Sequence, residues 1–246
     1  MIHRDTQRTY RGLSEPAQGE VRFAVTVEES DLLVTARRDL SAETAQVLNR
    51  LRGQLKNHIL LHPEFRPSLT PLPDDPSAPP LVGDMLRAAR ACQVGPMAAV
   101  AGTIAQHVAD ALAPLSPDLL VENGGDVALR STRERLVALL ARPVQGARLA
   151  LRLAPREFPV CLCTSSATVG HSLSFGAADM VTVKARSGAV ADAAATTLGN
   201  LARGEAHLPL VLERARELAR VGVLGVFVQV GEKIGVWGDM ELAALE

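Results

Sequence analysis

Three pairs of β-like runs are each joined by only three to five residues, and this spacing constrains the fold more than any other feature of the chain. Val21 to Val27 alternates with period two, and Glu28-Glu29-Ser30 turns it into Asp31-Leu32-Leu33-Val34-Thr35-Ala36. Leu119-Leu120-Val121 and Val127-Ala128-Leu129 flank Glu122-Asn123-Gly124-Gly125-Asp126. Val223 to Val230 and Ile234 to Trp237 flank Gly231-Glu232-Lys233. Runs this close pair as hairpins. Asn-Gly and Gly-Gly supply the positive φ that a tight turn needs. Further strands are expected at Leu136–Leu140, Leu149–Leu153, 159–163 and 180–183. Strands outnumber helices, so the expected class is α+β: a mainly antiparallel sheet with helices packed on it.

The helices show a different period. Ser41 is the expected N-cap, with Glu43 in the first turn. Val47, Leu48, Leu51, Leu55 and Ile59 then fall at helical spacing, which gives a helix of about 17 residues. His62-Pro63 ends it, and seven prolines follow between Pro63 and Pro80. Neither helix nor central strand tolerates that density. Residues 62–81 are therefore a surface crossing, either a passive connector or a flap over a site. A short helix is expected over Asp84–Arg90, and Gly95-Pro96 starts another. In it Met97, Val100, Ala101, Ile104, Ala105, Val108 and Leu112 form one stripe, and Ala98, Ala99, Ala101 and Gly102 permit close packing. The free N–H groups at 94–98 offer an anion site or simply end a helix packed on the sheet. Later helices are expected over Ala189–Leu201 and Leu210–Arg220.

Composition narrows the function. Apolar residues make up 47% of 246, enough for a core without staples, and one domain over 1–246 is expected. The net charge of −1 leaves no electrostatic footprint for nucleic acid. No uninterrupted apolar stretch approaches the length of a membrane span, and the polar N-terminus has no signal-peptide core. Cys92, Cys161 and Cys163 suit a reduced compartment. A cytoplasmic protein is expected, with no sign of its oligomeric state.

Chemistry concentrates between 158 and 200, where small, hydroxyl and acidic residues lie between apolar runs. Asp192 and Thr196 are four apart and share a helix face. A carboxylate and a hydroxyl so placed can hold Mg²⁺ if a phosphate-bearing small molecule completes the shell; the alternative is a helix-terminal charge and a packed side chain. Thr164-Ser165-Ser166, just past the expected strand end, could cradle phosphate or ribose, or be an ordinary turn. His171, between Gly170 and Ser172, is a candidate acid or base, or a structural histidine. Cys161 and Cys163 share one face of a strand, and Cys163 is the better candidate thiol, or an inert core residue. Glu122, Asn123 and Asp126 flank Gly124 and Gly125, where a ligand could approach the backbone, or where the chain merely turns.

The chain resembles the ApbE-like family of flavin transferases, and more closely an uncharacterised branch of it. The resemblance rests on VGPMAAVAGTIAQ (94–106), VENGGD (121–126), CTSSATVGHSLSFGAADMVTV (163–183) and ADAAAT (191–196). It implies an ApbE-like, T-fold-like α+β domain. It also implies FAD as cofactor or substrate, with FMN passed to a threonine of a protein substrate and Mg²⁺ assisting. By that resemblance Asp192 and Thr196 are metal ligands, and Gly124 and Gly125 lie beside the flavin with Asn123 and Asp126. Thr164-Ser165-Ser166 matches a nucleotide-binding element, and His171 stands at the family's histidine. Ser172-Leu173-Ser174-Phe175 replaces the Asp-Pro that follows that histidine in the family. Two other roles are consistent with the branch: sulfur transfer through a persulfide on Cys163, and a non-catalytic binding module.

Overall fold

The structure, a computed structural model, describes residues 16–139, 148–166 and 178–245. β1 (Val21–Val27) and β2 (Ser30–Ala36) form the first expected hairpin, in register from Val21 opposite Ala36 to Val27 opposite Ser30. β3 (Leu119–Asn123) and β4 (Asp126–Arg130) form the second, closed with Asn123 opposite Asp126. β5 (Arg135–Ala138), β6 (Arg148–Leu153), β7 (Val160–Ser165) and β8 (Met180–Ala185) follow. β9 (Val223–Val230) and β10 (Lys233–Gly238) form the third hairpin, and β11 (Glu241–Leu245) ends the series. Among the described residues, eight strands make one sheet in the order β1-β2-β3-β4-β7-β8-β9-β10, every neighbour antiparallel. A second sheet runs β11-β6-β5. The class is α+β, as expected. β11 was not expected: Glu241-Leu242-Ala243-Ala244-Leu245 lacks period-two alternation, and only its pairing with β6 makes it a strand.

The five α-helices among the described residues are α1 (Ser41–Leu61), α2 (Pro80–Cys92), α3 (Val100–Leu112), α4 (Gly188–Leu201) and α5 (Leu208–Leu218). α1 packs on β1, α3 on β3 and β4, α4 on β7 and β8, and α5 on β9 and β10. α2 packs on α1, α3 and α4. One core therefore lies between helices and sheet, with Val121, Ala128, Cys161, Cys163, Val181, Val183 and Val228 pointing into it. The alternate residues Leu129, Val160, Leu162, Met180 and Phe227 face the small sheet, where Leu151 and Leu153 meet them. Both faces of the large sheet are thus apolar, and each fully buried aliphatic side chain contributes about 1.5–3 kcal/mol. Lys184, fully buried, stands on the face opposite Val183. Its Nζ donates to Asp239 O and Oδ2 at 2.9 and 2.8 Å and pairs with Glu157. No helix among the described residues is long and apolar enough to cross a membrane.

Some local devices differ from expectation. α1 has no cap from Ser41; Asp39 Oδ1 accepts from the Ser41 N–H at 2.8 Å. The helix runs 21 residues, not about 17: it starts at Ser41 itself and continues past Ile59 to Leu61, stopping just before His62-Pro63. Within the proline-rich crossing, Pro63–Phe65 is one 3₁₀ turn, and Pro80 already opens α2. A Cβ on Gly95 would sit 1.8 Å from Ser68 O. The crossing's backbone therefore occupies the space beside Gly95, just before the 3₁₀ turn Pro96–Ala99 that leads into α3.

A polar knot ties the start of β3 to the β4–β5 connection. The fully buried Asp118 accepts from Arg37 Nε at 2.7 Å, Thr132 N at 2.7 Å, Thr132 Oγ1 at 3.0 Å and Ser131 Oγ at 3.1 Å. Burial alone would raise its pKa, but these donors hold it well below the usual carboxylate value. A depressed folded value adds stability above the unfolded pKa of about 3.9 and loses it as the pH falls through the folded value. Replacing Asp118 by Asn should therefore cost about 3 kcal/mol at pH 7. In urea unfolding, the gap between wild type and variant should shrink as the pH falls below about 4.

Candidate functional site

Five elements meet at one end of the large sheet. Gly124 and Gly125 take φ values of 69° and 107° in the β3–β4 turn, which only glycine adopts cheaply. Among the described residues, nothing lies within 4 Å of a Cβ built on either. Glu122 Oε1 accepts from the Gly125 N–H at 3.0 Å and closes the turn. Asn123 Nδ2 donates to Ala101 O at 3.1 Å, joining the turn to the first turn of α3. Asp126 Oδ1 accepts from the Thr164 N–H at 3.0 Å, joining it to the end of β7.

α3 and α4 cross backbone to backbone. A Cβ on Gly102 would lie 2.5 Å from Gly188 O, 2.7 Å from Cys163 Sγ and 2.9 Å from Asp192 Cβ. A Cβ on Gly188 would lie 2.2 Å from Gly102 O. This contact lets the Gly102 N–H reach Asp192 Oδ2 at 2.9 Å. Asp192 thus sits at the positive end of α3, where a carboxylate is favoured. Thr196 follows one turn later on α4 and is half-buried.

The electrostatics of this cluster are unusual. Burial raises the Asp126 pKa, and Glu122 adds to the rise against the hydrogen bonds from Thr164 and Cys163. Burial also raises Asp192 well above the ordinary value, Asp126 adds to it, and the backbone N–H groups of Gly102 and Ala101 oppose it. A buried carboxylate raised by a neighbouring carboxylate favours a bound proton or a cation over the bare charge. Cys163 is fully buried, with Sγ 3.7 Å from Gly188 O. Burial pushes its thiol well above the ordinary value, and Asp126 and Asp192 push it further. A thiol so placed stays protonated and is a poor nucleophile.

Several expected site residues therefore come together: Asn123, Gly124, Gly125, Asp126, Cys163, the Thr164 N–H and Asp192. The hydroxyls of the 164–166 corner do not converge as a cradle. β7 continues through Ser165 rather than ending at 163, so strand alternation turns Thr164 to the face opposite Cys163. Thr164 Oγ1 is bonded to Thr182 Oγ1 at 2.9 Å, and Ser166 Oγ donates to Asp179 O at 2.6 Å. Ser165, opposite Val181, is buried on the helix side. His171 lies outside the described residues. Gly188 was not singled out in the sequence: it follows Ser187 as an ordinary helix start, and only the crossing with Gly102 shows its purpose. A separate groove of about 560 Å³, lined by Thr197, Asn200, Arg203, Arg214 and Glu217 among others, lies toward the C-terminal end of α4 and does not include Asp192.

The family model described as AbpE bacteria matches residues 14–234. A UPF0280 protein of Methanocaldococcus jannaschii is 36% identical over 225 residues, covering 88% of this chain and 90% of that protein. A UPF0280 protein of Methanococcus aeolicus is 40% identical over 199 residues, covering 78% and 79%. Among solved structures, a mutant of the flavin transferase ApbE from Vibrio cholerae superposes with a TM-score of 0.58 at 12% identity, over 89% of this chain and 96% of that one. The apo form of the Pseudomonas stutzeri flavinyl transferase ApbE gives 0.55 at 15% identity, over 89% and 94%. At these identities the structural likeness shows a shared fold.

Proposed function

This chain belongs to the family described as AbpE bacteria, and we propose that it binds a flavin nucleotide, FAD or FMN, with Mg²⁺ where α3 and α4 cross at the end of the large sheet. The observation that carries this is the carboxylate pair. Asp126 and Asp192 come from different elements, and the Asp126 carboxylate adds to the raised pKa of Asp192. A divalent cation relieves that repulsion. Mg²⁺ takes one or two protein carboxylates and leaves its other positions to water and phosphate oxygens. Asp192, whose Oδ2 accepts from the Gly102 N–H, is the carboxylate assigned to the ion, and Thr196, one turn later on α4, is the hydroxyl. The open turn at Gly124 and Gly125 gives a ligand access to backbone.

In this reading the reaction is flavin transfer. The threonine hydroxyl of a protein substrate attacks the FMN phosphorus, the P–O bond to AMP breaks, and AMP leaves with the electron pair. His171 takes the hydroxyl proton. When bound, Mg²⁺ supplies neutralising charge to the diphosphate. Asp192 and Thr196 position that charge, and Asn123 fixes the glycine turn against α3. The names of the structural neighbours support the flavin assignment, and the carboxylate pair supports the metal.

Native mass spectrometry tests it. After incubation with FAD and Mg²⁺, a one-to-one flavin complex is expected. A protein that carries no flavin under those conditions would contradict the assignment.

A further inference from the structure

A second cluster of ligand-type side chains lies far from this site in the chain, where α1 meets the proline-rich crossing. His58 is the last basic residue of α1, and His62 caps its end, one turn later. The His62 N–H donates to His58 O at 2.8 Å, so the helical turn continues between them and stacks the two rings, 4.3 Å apart at 27°. Phe65 packs edge-on against His58 at 4.9 Å and fixes that ring. Asp75 reaches the pair from the crossing. Its Oδ1 accepts from Ser77 N at 2.9 Å and Ser77 Oγ at 2.6 Å. Its Oδ2 faces the rings, 4.0 Å from His58 Nδ1 and 3.9 Å from His62 Nε2. One donor atom from each of the three residues lies within 4.8 Å of the others.

We propose that His58, His62 and Asp75 bind a divalent first-row transition metal ion of the zinc type, which pins the crossing to α1. Two imidazoles and a carboxylate suit zinc and its neighbours, whereas Mg²⁺ prefers oxygen alone. Paired histidines at i and i+4 are a recurrent helical zinc arrangement. Zinc–nitrogen bonds of about 2.0–2.1 Å require the donors to close up somewhat. The half-buried His62 and Asp75 can supply that movement, while buried His58 stays anchored. Glu64 Oε1 stands 3.7 Å from His62 Nδ1, on the ring's other nitrogen. That is where an outer carboxylate orients a ligating histidine. The remaining coordination positions go to water. The ion would hold a segment that also touches Gly95 through Ser68 and pairs Asp74 with Arg90 at 2.9 Å.

The test uses untagged full-length protein stripped with a chelator. Co²⁺ is titrated by visible absorption and Zn²⁺ by calorimetry. One equivalent is expected, with a rise in melting temperature and no displacement by excess Mg²⁺. His62→Gln and Asp75→Asn should each weaken binding by at least about tenfold, the scale set by changes in a metal's outer shell. Their metal-free melting should match wild type; if one variant fails to fold, the other decides. Wild-type binding no tighter than that of the folded variant, or displacement by Mg²⁺, would overturn the proposal.

Discussion

Replacing Gly102 by Ala should destabilise the protein by about 3 kcal/mol, the upper part of the usual range for overpacking. The same change at Gly53 should stabilise it by up to about 1 kcal/mol. Both glycines lie inside helices, and intrinsic propensity favours Ala at both. Gly53 is exposed on α1, with nothing within 4 Å of an added Cβ. At Gly102 the methyl would meet Gly188 O, Cys163 Sγ and Asp192 Cβ, all below 3.0 Å. Two are part of a buried helix crossing and the third belongs to a packed side chain, so α3 and α4 must separate. The Gly102 N–H then leaves Asp192, and the candidate metal donor loses its anchor. Urea unfolding of both variants checks the opposite signs. A Gly102 variant as stable as wild type would show that the helices cross less tightly than described.

Asp192→Asn should separate stability from binding. In the metal-free protein, Asp192 holds its proton to higher pH than in the unfolded chain, where an aspartate titrates near 3.9. The stability this adds is complete below about pH 4 and is lost as the pH rises through the folded-state value. Asn cannot ionise, and its amide oxygen can still accept from Gly102. The variant should therefore melt higher than metal-free wild type at pH 8, with a smaller difference at pH 5. Its Mg²⁺-dependent ligand affinity should fall by more than the roughly 10–100-fold cost of disturbing a metal's outer shell. Lower stability at pH 8 would show that the carboxylate serves the fold rather than a ligand.

Much of the architecture was legible because each hairpin joins two β-like runs through a turn too short to cross over. The β3–β4 turn was read correctly from Asn123-Gly124-Gly125 alone, and Cys161 and Cys163 do share the helix-facing side of β7. β11 was not legible, since an Ala-Leu run gains strand character only from β6 beside it. The fate of the 164–166 hydroxyls depended on where β7 stops: two more residues of strand turn Thr164 away from the site. Asp192 was visible as a carboxylate at a helix start. Its partner Asp126, 66 positions earlier in the numbering, became its neighbour only through the antiparallel order β4-β7-β8 with α4 laid across it. The His58–His62–Asp75 group was hidden for the same reason, because Asp75 returns to α1 through a segment with no periodicity to read.

Fluorescence titration of FAD into the purified protein, with Mg²⁺ and with a chelator in its place, tests the central claim most directly. The carboxylate pair predicts binding that tightens at least about tenfold with Mg²⁺, as expected when an ion bridges protein oxygens and phosphate. Equal affinity in the two conditions, or no binding in either, would contradict it.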